Sequence, residues 1–121
     1  MKLLRVSKTT SISSLAGAIA HRIRKGEDVE LSMVGSQTIN LALKAIMAAR
    51  RYLQSDDNPS DIVIMPEFCY HNEQSSIEET RPITSLVFRV FKCPFKEEYR
   101  VPENPNRTVE NSEVSEEGEH Q

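Results

Sequence analysis

No run of this chain is long and apolar enough to cross a membrane, so no transmembrane anchor is expected. Cysteine is scarce: Cys69 and Cys93 stand alone, 24 positions apart, without the CxxC pairs that zinc modules use. No secretory leader is evident, so both are expected to be reduced thiols in a cytoplasmic protein, or a nuclear one in a eukaryote. The signatures GxxxxGK[ST], GxGxxG, HExxH and GxSxG are all missing. Catalysis therefore has no support, no cofactor is implied, and the chain is expected not to be an enzyme. Aromatic residues are few. Phe88 and Phe91 fall in an apolar strand-like run, where they read as core rather than as platforms for stacked bases.

What is present is an uneven distribution of charge over 121 residues, enough for one modest core. Residues 1–51 carry nine Lys/Arg against three Asp/Glu, and residues 52–80 carry seven Asp/Glu and no Lys or Arg. The formal net charge of −3 thus conceals a basic first half that is able to form one face toward a polyanion.

Periodicity supplies the elements. Leu3 to Ser7 has the brevity and alternation of a strand, and Lys8-Thr9-Thr10-Ser11 is a polar turn rich in capping residues. Ile12, Leu15, Ile19 and Ile23 recur at helical spacing, and His21, Arg22, Arg24 and Lys25 suit the C-terminal end of that helix before Gly26. Val29, Leu31 and Met33 alternate with polar residues as a second strand. Gly35 then opens a helix to Leu53 with two apolar stripes, Ile39, Leu43, Ile46 and Leu53 on one side and Leu41, Ala45, Ala48 and Tyr52 on the other. Such a helix is expected between the sheet and a further partner, either the first helix or another subunit.

The continuous run Asp61 to Met65 predicts a strand covered on both faces. Pro66 is expected at an edge, a bulge or the end of pairing, with Phe68 to His71 as a continuation. Asn72 to Glu79 reads as a polar loop and Ile83 to Lys92 as the last strand of a hairpin. The order is β-α-β-α-β-β. After Pro94, acidic density and low hydrophobicity predict that residues 96–121 are a tail that does not fold by itself, leaving 1–95 as the domain.

The segments LLRVS, SSLAGAIAHRIR, GSQTINLALKAIMAARRYL, DIVIMPEF and the final strand resemble the bacterial stage V sporulation protein S family. That family is similar to the Alba group of chromatin and RNA-binding proteins, and IEETRPITSLVFRV looks like the Alba hairpin. The resemblance spans about residues 2–93 and implies an α/β class fold of α+β sandwich type, two helices packed on a four-stranded mixed sheet. It further implies a homodimer that uses the second helix and the hairpin to bind DNA or RNA without chemistry. Carried over, the implied contacts are Lys8, Thr9 and Thr10 in the first turn; Ser36, Gln37 and Asn40 at the second helix entrance, with Lys44 beyond; and Arg81 in the hairpin loop. The entrance is neutral where Alba proteins carry Arg and Lys, and the loop holds Glu73, Glu78 and Glu79. A shallow salt dependence is the consequence.

Each feature has a plainer reading. Gly35 and Ser36 can be a sharp turn and a helix cap, Lys8 a solvated lysine, and Arg50 and Arg51 a complement to the helix dipole. Glu67, Cys69 and His71 share one strand face and, with Cys93, sketch a metal site whose spacing matches no standard pattern; no metal is expected. Beside nucleic-acid binding stand two alternatives, a protein-protein interaction module and a small anionic ligand binder at the helix entrance.

Overall fold

The computed structural model of the chain describes residues 2–72 and 82–102, with side chains for 2–69 and 85–102. Its elements are β1 (Lys2–Val6), α1 (Ile12–Arg24), β2 (Val29–Met33), α2 (Ser36–Gln54), β3 (Ser60–Asn72) and β4 (Pro82–Pro94), followed by a single 3-10 turn at Glu97–Tyr99. The β-α-β-α-β-β order read from periodicity is the observed one. The four strands form one mixed sheet in the order β1-β2-β4-β3.

β1 and β2 run parallel, which requires a crossover, and α1 supplies it. Ser11 caps α1 by accepting a 3.2 Å hydrogen bond from the Ser14 amide. Gly26, at φ 85°, ends the turn beyond it, where its amide donates to the Ile23 carbonyl. β4 then pairs antiparallel with both β2 and β3.

Alternation decides what each strand buries. Val29, Leu31 and Met33 point to the helices and are fully buried, as is Val90 opposite Val29. Ile19 and Ile23 of α1 and Leu53 of α2 fill the space above them. The buried line of α2 is Thr38, Ala42, Ala45, Ile46, Ala49 and Leu53, which lies between the two stripes read from the sequence. Alanines 42, 45 and 49 on α2 and 16 and 20 on α1 have no exposed surface. These small side chains let the two helices pack closely on each other and on the sheet. The partner of α2's second side is thus α1.

One expectation is corrected. β3 is not covered on both faces: it is the sheet edge, and Val63 and Met65 are 52% and 49% exposed. Both helices lie on one side of the sheet, so among the described residues no helix covers the odd-numbered apolar residues of β3. Of the three places open to Pro66, the structure shows the edge: it lies on the outermost strand, and pairing runs unbroken through it, opposite Phe88. The edge position explains its tolerance, since a strand edge can lack one donor without disturbing the ladder.

Residues 96–102 lie on the tail side of the boundary expected at residue 95, and they are held against α2. The Arg50 guanidinium and the Gln54 amide both donate to the Tyr99 carbonyl, at 2.7 and 3.2 Å, and the Val101 amide donates to Gln54 Oε1 at 2.8 Å.

Candidate nucleic-acid interface

The parallel pair sets the location of the site. Val6 stands opposite Met33, so β1 and β2 end at the same level and the chain enters both helices from that end. In open α/β sheets this carboxyl end is where helix N-termini gather and where anions bind. The third strand contact points the same way. Met33 pairs with Leu86 and Leu86 with Phe68, yet the hairpin continues four pairs further, to Asn72 opposite Pro82. It therefore overhangs the end of β2 by roughly 14 Å. The structure thus brings the Lys8 turn, the α2 entrance and the base of the hairpin arm to one pole of the molecule. Arg81, like Glu73, Glu78 and Glu79, lies outside the described residues.

The first turn is tied to itself. The Ser7 amide donates to Thr10 Oγ1 at 2.8 Å, and the Ser7 hydroxyl lies 3.1 Å from that of Thr9 and 3.2 Å from that of Thr10. Thr9 and Thr10 shape the turn with their hydroxyls, while Lys8 projects from it, exposed and in no ion pair among the described residues. Lys8 is the group in this turn best placed for an anion.

At the second entrance, Gly35 adopts φ 94° and ψ 151°, a conformation open to glycine. Gly35 itself is the N-cap, and no side chain caps the helix, so the reading of Ser36 as the cap is corrected. Thr38, which sequence reasoning passed over, donates its hydroxyl to the Val34 and Gly35 carbonyls, both at 2.8 Å. It braces the turn without covering the amides. The first turn of α2 has no acid, and Ser36, Gln37 and Asn40 stand exposed around it. Lys44 follows about 12 Å along the axis. The entrance offers free backbone donors and neutral side chains to an anion, with one cation beyond.

Four other arginines are paired elsewhere. Arg50 is not a free complement to the helix dipole: its Nε and Nη2 donate to the two carboxylate oxygens of Asp61 at 2.9 and 3.1 Å. The Asp61 hydrogen bond raises the Arg50 pKa against the opposing effect of burial. Arg24 makes a similar fork with Asp56, and Arg22 bonds Glu27. On the uncovered sheet face, Arg89 is shared between Glu67 at 3.5 Å and Glu30 at 3.9 Å and lies over the Phe91 ring. That face is charge-balanced and offers little to a polyanion.

Strand register also separates the sketched metal ligands. Cys69 stands opposite Ser85 and Cys93 opposite Asp61, at opposite ends of the hairpin. Cys93 has its thiol pKa pushed up, first by burial and then by the Asp61 carboxylate, so it is a poorer nucleophile than an ordinary thiol. Among the described residues, no helix is long and apolar enough to cross a membrane.

A groove of about 990 Å³ runs between α2 and the edge strand. Leu43, Met47 and Arg50 line it from α2, Ile62, Val63 and Ile64 from β3, and Tyr99 from the 3-10 turn. No sequence signal foretold it, because it joins residues far apart in the chain. The family model of stage V sporulation protein S matches residues 2–92, which spans β1 through most of β4.

Proposed function

From membership of the stage V sporulation protein S family, to which this chain belongs, we propose that it is a non-enzymatic regulatory protein that binds DNA or RNA. The observation that carries this reading is the convergence of Lys8, the uncapped α2 entrance and the overhanging hairpin at one pole. Phosphate groups there meet backbone amides, two helix dipoles and Lys8, none of which reads base identity. Affinity on this reading is modest and weakly sequence-dependent. The Alba resemblance supports the same use of the same end. Reduced Cys69 and Cys93 suit a cytoplasmic setting, where such thiols persist.

Fluorescence anisotropy with labelled single-stranded and duplex DNA and RNA, titrated with salt, tests the reading. Engaging about two or three phosphates gives a log–log salt slope of roughly −2 to −3. Lys8→Glu is expected to weaken binding to every sequence alike and to reduce the slope by about one. Absence of binding to all four ligands near ~50 mM salt refutes the proposal.

The apolar groove favours one addition: a second copy of the chain docked along α2 and β3, giving a homodimer. Met47, 54% exposed, and Val63, 52% exposed, are apolar surface that such a partner would remove from water. Met47→Glu is expected to convert a dimer to a monomer in sedimentation equilibrium. A wild-type chain that sediments as a monomer at every concentration would sink this addition.

A further inference from the structure

Neither α1 nor α2 contains an Asp or Glu. Along the outer side of α2, Gln37, Lys44 and Arg51 recur every seven residues and are all exposed, with Asn40 between them. This line starts at the helix entrance and ends beside Gln54. Lys44 and Arg51 make no ion pair among the described residues. It is a cationic strip with no acid of its own helix to neutralise it.

The chain leaves the described fold next to the end of that strip. Gln54 holds both the Tyr99 carbonyl and the Val101 amide, so residues 103–121 begin from a fixed point at the C-terminal end of α2. Those nineteen residues carry six Glu and one Arg, a net of −5, whereas residues 1–102 carry fourteen Lys/Arg and twelve Asp/Glu, a net of +2. Extended, they span roughly 60 Å, against about 28 Å for the length of α2. They reach the helix entrance with length to spare. Tethering holds the glutamates near the strip at an effective concentration on the order of millimolar.

We propose that residues 103–121 lie back along the outer strip of α2, with glutamates against Lys44 and Arg51, and compete with nucleic acid for the helix entrance. The inference rests on the nucleic-acid reading for its competitor, but the docking itself does not. The contact is electrostatic and exposed, so salt weakens it and a polyanion of higher charge density displaces it. It raises the threshold for binding and disfavours short or weakly charged ligands.

The test compares the full chain with a full-length variant in which Glu110, Glu113, Glu116 and Glu117 are all changed to Gln. Amide NMR shifts of residues 40–52 are expected to differ between the two chains at about 50 mM salt, and to converge near ~500 mM. Labelled single-stranded DNA is expected to bind the variant roughly ten-fold more tightly at the lower salt. Superimposable α2 amides in the two chains overturn the proposal whatever the DNA does. A shift difference in chains that bind neither DNA nor RNA upholds the docking and overturns the nucleic-acid reading instead. A shift difference that grows with protein concentration places the acidic segment on a second copy and overturns the intramolecular form.

Discussion

Replacing Asp61 with alanine probes the junction that joins α2, the edge strand and the C-terminal strap. The Asp61 carboxylate is 4% exposed and accepts four hydrogen bonds: from Arg50 Nε at 2.9 Å, Arg50 Nη2 at 3.1 Å, Gln54 Nε2 at 3.1 Å and the Ile62 amide at 2.9 Å. Removing one member of a buried ion pair costs about 3–5 kcal/mol when the remaining charge is stranded. Here the stranded group is Arg50, whose side chain is 29% exposed and keeps the Tyr99 carbonyl, so water and that carbonyl recover part of the loss. The expected destabilisation of Asp61→Ala is therefore about 2–3 kcal/mol. For a domain of this size it lowers Tm by roughly 8–12 °C. Urea unfolding measures it directly, with an unchanged slope showing that only stability has moved. Asp56→Ala is the control. Its pair with Arg24 is 31% and 45% exposed on the two sides, so the expected loss is under about 1 kcal/mol. An Asp61→Ala loss no larger than that of Asp56→Ala refutes the view that Asp61 is the keystone of this junction.

Three further outcomes follow from local geometry. Gly35→Ala meets no atom within 4 Å, so its cost is the backbone conformation alone, about 1–3 kcal/mol by thermal melting, whereas Gly17→Ala on the exposed side of α1 is expected to stabilise by about 0.5–1 kcal/mol. A neutral Gly35→Ala contradicts the assigned turn. Ala45→Leu inserts three carbons where no surface is exposed and is expected to cost about 1–3 kcal/mol; a tolerated leucine means that the helices are not in close contact there. Cys93 has a folded-state pKa raised above its unfolded value, first by burial and then by the Asp61 carboxylate, so the folded state favours the neutral thiol. That contribution is whole below the unfolded pKa and is lost as pH rises through the folded one. In a Cys69→Ser chain, iodoacetamide at about pH 8 should label folded Cys93 more slowly than the urea-unfolded chain, and an equal rate contradicts the shift.

Local signals carried the element order because they are written in neighbouring residues. The spacing of Ile12, Leu15, Ile19 and Ile23, the alternation from Val29 to Met33 and the glycine at 35 each need only a few positions to be read. The Asp61 to Met65 run failed for a related reason. Its apolarity is real, but a strand cannot state what lies above it, and Val63 and Met65 proved to be edge surface. The candidate site was legible in its turns, where Lys8 and the Gly35–Asn40 entrance fall as expected. Arg50 was not legible. It looked like any cation near a helix end, and its partner Asp61 is named only by the path of the chain through the loop that follows α2.

The sequence by itself determined the six main elements, the fully buried line of β2 and the excess of positive charge in the first half, because periodicity and composition are properties of short stretches. Only the tertiary structure decided that two turns and a hairpin arm share one pole, that Arg50 is bound to Asp61 rather than open to a ligand, and that the acidic segment departs beside an acid-free helix. Those are distances between residues remote in the chain. They are fixed by strand order and register, through packing that no local pattern encodes.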